Sequence, residues 1–286
     1  MATISPIFLL LLGLVPSAIW LLFYLRKDAH PEPKHMVLRV FLLGMLATFP
    51  VIFLEKIVKI IIDCGDLAKF LRLPFSLPSC ASPLSSFLPE PLFWILYFVI
   101  GVALIEELFK YLAARFGSFS NPNLDEPVDV MIYMIVSALG FAALENMLLI
   151  TQLLSNTPTP ASPSEIVWVV ALRFLEATSL HALASGIFGY ALAFSLFQRR
   201  HHAMFYFLPG LAVATLLHGV FNFYIVSVET VEKENLFPFH ILLIFALLAI
   251  GLFVSLGFQQ LKRIIPTTNN VASSISSNPT LAPRKK

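Results

Sequence analysis

Long runs of apolar residues alternate with short polar segments along this chain, and the run lengths set the first expectation. Pro6 to Leu25, Val40 to Leu54 and His240 to Gln259 carry almost no ionisable groups. A helix rising about 1.5 Å per residue needs roughly 20 apolar residues to cross a ~30 Å hydrocarbon core. The pattern therefore predicts an all-α, polytopic transmembrane bundle with about seven spans, near 5–25, 37–60, 92–115, 128–153, 168–198, 204–228 and 238–262. The first run lacks a basic leader. Arg26 and Lys27 follow it where a secretory signal would carry small residues for cleavage, so a retained span is expected. No internal repeat, broken helix or separate soluble domain is apparent. Residues 1–263 read as one membrane domain and 264–286 as a disordered, polar and basic tail.

Composition agrees. The 286 residues are 58% hydrophobic and 13% charged, far from the roughly 45–50% apolar and 25% charged of soluble domains. A net charge of +2, with no basic run interleaved with aromatics, speaks against a nucleic-acid partner. Charge asymmetry predicts the orientation. Arg26, Lys27, Lys34 and Arg39 flank the first loop, Arg199 and Arg200 follow span five, and Lys262, Arg263, Arg284, Lys285 and Lys286 end the chain. The segment 154–166 has no Lys or Arg, and 229–235 is acidic. The positive-inside rule then gives an outside N-terminus and an inside C-terminus, in a multi-pass protein of the cell membrane. Glu55 to Arg72 reads as the end of span two followed by an amphipathic stretch on the outer surface. Cys64 and Cys80 lie in the same loop, where a disulfide and two thiols are both open.

An ionisable side chain buried in lipid is expensive, so each one inside a span is a candidate for function. Span three carries Glu106, Glu107 and Lys110, with Glu106 and Lys110 four apart on one helix face. Adjacent carboxylates resist ionising together, which can make one of them a base near neutral pH while Lys110 holds the other charged. The plainer reading is a structural ion pair. Span four carries Phe141, Glu145 and Asn146, where Glu145 is a second acid–base candidate or a structural partner of Arg173 or Lys110. Span five carries Arg173, Glu176 and His181. Arg173 and Glu176, three apart, are spaced to pair with each other, and His181 is a site residue or a hydrogen-bonded packing residue. Span six stacks His218 and Asn222 four apart, suited to holding an oxyanion or to packing helices together. Glu106, Glu145, His181 and His218 all fall within roughly 10 Å of the predicted bilayer middle. Four helices thus aim polar groups into one layer, expected to be a shared wet pocket.

In order along successive helices, Glu106-Glu107-x-x-Lys110, Phe141-x-x-x-Glu145-Asn146, His181-x-x-x-x-Gly186 and His218-x-x-x-Asn222 resemble the PrsW family of membrane proteases. So do His30-Pro31-Glu32-Pro33-Lys34 and Asp125-Glu126-Pro127. The family is distantly similar to the CAAX prenyl endopeptidase and abortive-infection group. The resemblance implies a glutamic-type intramembrane peptidase without a cofactor. Glu106 would deprotonate water beside Glu107, and His218 and Asn222 would hold the oxyanion. Glu145 stands where the prenyl endopeptidases have a histidine. Lys110, Phe141, Asn146 and Arg173 would support the site. It also implies a single-pass, membrane-anchored protein as substrate, of the anti-sigma-factor kind.

Other protease chemistries fit poorly: the chain has no His-Glu-x-x-His, no rhomboid-type Gly-x-Ser-Gly and no Gly-x-Gly-Asp. A metal on Glu106, His181 and His218 is a minor alternative. From other classes, a secondary transporter could use the same buried Glu, Lys and His to relay protons, and a membrane scaffold would leave the motifs without chemistry.

Overall fold

A computed structural model describes residues 6–28, 30–62, 88–119, 124–155, 160–197, 203–228 and 236–263. The described residues include seven helical stretches long and apolar enough to span a membrane. These are Ile7–Leu25, Lys34–Ile62, Glu90–Phe119, Pro127–Ser155, Pro163–Leu196, Met204–Ser227 and Pro238–Lys262, referred to below as spans one to seven. Cys64, Cys80, most of the stretch expected to be amphipathic and the tail lie outside the described residues.

Span five begins earlier than its apolar pattern suggests. Ser162 accepts a hydrogen bond from the Glu165 N–H, Glu165 accepts one from the Ser162 N–H, and Pro163 takes the first helical position. This capping box starts the helix one turn ahead of the apolar run.

The helices are also less regular than the pattern predicts, which corrects the expectation that none is broken. Span one divides into Pro6–Leu12 and Val15–Leu25. Span five divides into Pro163–Leu175 and Ala177–Phe197, with Glu176 between them at φ −109° and ψ −82°. Ser179 Oγ lies within hydrogen-bonding distance of the Leu175 and Glu176 carbonyls beside the break. A local hydroxyl thereby serves carbonyls that lipid could not. Span three loosens into π-helical turns over Tyr97–Ala103, directly ahead of the α-helix Leu104–Ala114 that carries the paired glutamates.

Span four is the axis of the bundle, buried at every position from Pro127 to Ala143. Its approach to span two is backbone to backbone. A Cβ on Gly140 would lie 2.0 Å from the Phe41 carbonyl oxygen, and one on Gly44 would lie 2.1 Å from that of Ser137. Small residues permit this, and the close packing replaces the hydrophobic drive that lipid cannot supply between helices. Span six meets span three in the same way, since a Cβ on Gly219 would lie 2.6 Å from Val99 Cα. Large apolar side chains such as Leu46, Phe49, Phe245 and Leu252 face outward, as a lipid-facing surface requires. The chain is an integral multi-pass membrane protein.

Candidate active site

Span three delivers Glu106, Glu107 and Lys110 to the buried centre. The Lys110 ammonium, fully enclosed, donates to Glu106 Oε2 at 3.1 Å and Glu107 Oε1 at 2.8 Å. It also lies 2.8 Å from His181 Nδ1 and 4.6 Å from the centre of the Phe141 ring. Glu107 is held on all sides: besides Lys110, Ser185 Oγ donates to its Oε2 at 2.8 Å, and His218 Nδ1 lies 2.9 Å from its Oε1. Glu106 is held more loosely. His218 Nε2 and His181 Nδ1 lie 3.6 and 3.9 Å from its Oε2, beyond direct hydrogen bonding. The two neighbouring carboxylates thus differ: Glu107 has both oxygens engaged, and Glu106 keeps free lone pairs facing two imidazoles.

The neighbours set the tautomers. With Lys110 donating to Nδ1, His181 carries its proton on Nε2 and donates it to Glu145 Oε2 at 2.8 Å. His218, with Nδ1 toward Glu107, turns Nε2 toward Glu106. The two rings meet edge to face at 4.8 Å, and Phe141 lies against His181 at 5.8 Å. Behind this layer, Arg173 Nη2 reaches Glu145 Oε2 at 3.5 Å, Arg173 Nε donates to Asn146 Oδ1, and Asn146 Nδ2 donates to Thr178 at 3.2 Å.

The pairing of Arg173 with Glu176 expected from their spacing does not occur. The helix breaks at Glu176, whose carboxylate lies 2.6 Å from His240 Nδ1 on span seven. Asn222, one turn beyond His218, is half-buried and makes no hydrogen bond to a described residue, so its amide is available as a donor.

The structure therefore gathers Glu106, Glu107, Lys110, Phe141, Glu145, Asn146, Arg173, His181 and His218 into one network. The cluster is nearly closed. Glu106 is 4% exposed, Glu107 and Lys110 0% and His218 1%. The network comes toward the surface at Glu145 and Arg173, whose side chains are 27% and 24% exposed. Three participants had no assigned role in the sequence pattern. Ser185 bonds Glu107, Thr178 bonds Asn146, and Glu55 on span two lies within electrostatic reach of Glu106, Glu145 and Lys110. Glu55 could have been found, as the acid that directly follows the uncharged run Val40 to Leu54 in a helix continuing to Ile62.

A second polar cluster joins the two remaining motifs where the link between spans one and two meets the start of span four. His30 Nδ1 lies 2.6 Å from Glu126 Oε1, Tyr133 donates to Glu32, and Asp129 accepts the N–H groups of Asp125 and Glu126.

Glu106, His181 and His218 each offer a ligand atom within 4.8 Å of the others. Two imidazoles and a carboxylate form a known catalytic zinc set, and ligands at about 2.1 Å on a tetrahedral zinc stand roughly 3.4 Å apart. The separations of 3.6 and 3.9 Å are close to that. The second nitrogen of each imidazole faces a carboxylate, Glu145 or Glu107, as metal-bound histidines usually require. The donor set fits a divalent metal, provided that Lys110 draws back from His181 toward Glu107.

A membrane-embedded bundle with paired glutamates and two histidines at its buried centre fits the class of intramembrane proteases. The chain belongs to the PrsW family: the model described as PrsW family intramembrane metalloprotease matches residues 32–252. Protease PrsW of Geobacillus kaustophilus is 29% identical over 221 residues, covering 76% of this chain and 79% of that protein. Protease PrsW of Bacillus subtilis is 27% identical over 220 residues (76% and 82%), and that of Shouchella clausii 24% over 237 residues (82% and 91%). No solved structure matches the chain. The family membership supports a membrane protease over the transporter and scaffold alternatives.

Proposed function

We propose that this protein hydrolyses a peptide bond in or near the membrane segment of a single-pass, membrane-anchored protein, with Glu106 as the base that activates water. The observation that carries this reading is the division of labour between the paired glutamates. Glu107 is saturated by Lys110, Ser185 and His218, whereas Glu106 faces both imidazoles with capacity to spare. Water poised against Glu106 gives up its proton to the carboxylate as its oxygen attacks the carbonyl carbon. The Asn222 amide supplies a donor for the oxyanion. Passing the proton to His218 Nε2, 3.6 Å away, makes that nitrogen a second donor and then the acid that protonates the leaving amine. Lys110 and Glu107 keep His218 and Glu106 oriented throughout. The bundle is proposed to sit in the cell membrane with its N-terminus outside and its C-terminus inside. The relatives are described only as proteases, so a substrate of the anti-sigma-factor kind is part of the proposal.

A second reading rests on the donor set. Glu106, His181 and His218 would hold a divalent metal that polarises the carbonyl and acidifies water. Glu145 and Glu107 would fix the two imidazoles in either chemistry. The test uses purified protein and a single-pass substrate that it cuts. Glu106→Gln should lower the cleavage rate at least 100-fold while the protein stays folded and monodisperse, and exhaustive chelation should leave the parent's rate intact. A Glu106→Gln variant that cuts at the parent's rate would overturn the glutamate base. Loss of cleavage on chelation, restored by zinc, would move the assignment to the metal.

A further inference from the structure

The cluster is sealed around Glu106, so a polypeptide needs a way in, and the network approaches the surface at Glu145 on span four and Arg173 on the first segment of span five. Those two residues stand, respectively, about two helical turns inward of Leu153 and about one turn inward of Val169. A cavity of about 610 Å³ lies between the same two helices, lined by Leu153, Ala161, Ser164, Glu165, Trp168 and Val169 among others. This volume falls in the range that holds small ligands or several side chains.

The register of both walls leads to the site. On span four, Glu145, Leu149 and Leu153 fall at four-residue spacing, which places them on one helix face. On the first segment of span five, Glu165, Val169 and Arg173 do the same. Inward of the cavity, one carboxylate joins the two helices to the site: Glu145 Oε2 lies 3.5 Å from Arg173 Nη2 and 2.8 Å from His181 Nε2. Arg173 and His181 are eight residues apart and would be separated by about 12 Å of rise in an unbroken helix. The break at Glu176 lies between them.

The segment Pro163–Leu175 is otherwise sparsely covered. Ile166 is its one buried residue, and Trp168 stands 65% exposed at the crevice.

We propose that this crevice is the substrate groove of the protease, and that it takes an apolar side chain of the extended polypeptide flanking the cleaved bond. The proposal rests on the protease reading and adds the specificity surface. Two helical turns from Leu153 to Glu145 cover about 12 Å, which an extended strand crosses in roughly four residues at ~3.3 Å each. The groove therefore reads a position about three to five residues from the scissile bond. Leu153, Trp168 and Val169 make it an apolar subsite.

The test is a panel of synthetic single-pass substrates, each a leucine–alanine membrane segment whose flanking residues are varied one position at a time. The wild-type protein should prefer Leu or Phe over Asp by at least tenfold in kcat/KM at one position three to five residues from the cut. Val169→Trp, which fills the crevice, should reduce that preference to within twofold through KM, and leave discrimination at other positions unchanged. Trp168→Ala, which removes an exposed ring and does not threaten the fold, should weaken the same preference. A profile with no such position, or one that neither variant moves, overturns the groove while leaving the protease reading standing. A panel that the wild type does not cut anywhere strikes at the protease reading, and the groove falls with it.

Discussion

Glu106 and Glu107 are adjacent in sequence and differ in almost everything that matters chemically. Their carboxylates leave the helix about 100° apart. One enters a shell of three donors and the other an edge facing two imidazoles. Removing one partner of a buried charge network costs about 3–5 kcal/mol, because the remaining charge is left uncompensated. Glu107→Gln, which disturbs three direct contacts, should therefore lower the melting temperature by several degrees and by more than Glu106→Gln, which weakens only the Lys110 contact, and both should abolish cleavage. Thermal melts and rates on both variants check this, and equal destabilisation by the two would contradict the assigned roles. The pairing of two acids with Lys110 was legible from spacing. Which acid does which task was not, because Ser185 and His218, which decide it, arrive from spans five and six.

At the level of elements, membrane spans were readable from apolar run length because the bilayer imposes their length. Their irregularities were not. The sequence Phe174-Leu175-Glu176-Ala177-Thr178 contains neither Gly nor Pro, so nothing local announces the break that turns Glu176 toward His240. The π-helical turns before Glu106 contain Gly101, but one glycine in an apolar run does not specify a π-turn. The Ser162–Glu165 capping box was written in the sequence but hidden ahead of the apolar run. Ser162→Ala should cost about 1 kcal/mol and fray the first turn of span five, checked by faster amide hydrogen exchange there. The crossing of spans two and four tolerates far less. At Gly140 a methyl group would sit 2.0 Å from a backbone carbonyl, so Gly140→Ala must move a whole helix. A sharp loss of monodisperse, folded protein on size-exclusion chromatography is expected. Normal yield and melting temperature would mean that the two backbones do not meet as closely as described.

Across the whole molecule, two polar layers tie the bundle together: the buried cluster around Glu106, Glu107 and Lys110, and the cluster joining Asp28, His30 and Glu32 to Glu126, Asp129 and Tyr133. Burial pushes the carboxyl groups of Asp28 and Glu32 above the ordinary carboxylate range. An acid whose folded pKa is raised favours the fold in its protonated form. Its stabilisation is thus lost as pH climbs from the ordinary value near 4 through the raised one. Glu32→Gln should be at least as stable as the parent near pH 8 and lose that advantage toward pH 4, read from melts across the range. A parent advantage that grows with pH would refute the burial account.

The account turns on one claim, that the carboxylate of Glu106 launches water at a peptide bond inside the bilayer. Mass spectrometry of a single-pass substrate, cut in water enriched in oxygen-18, addresses it at the reacting atoms. The expected result is a new C-terminus in or beside the membrane segment carrying one labelled oxygen, formed by the parent protein and absent with Glu106→Gln. The same labelled product formed at an undiminished rate by Glu106→Gln would contradict it.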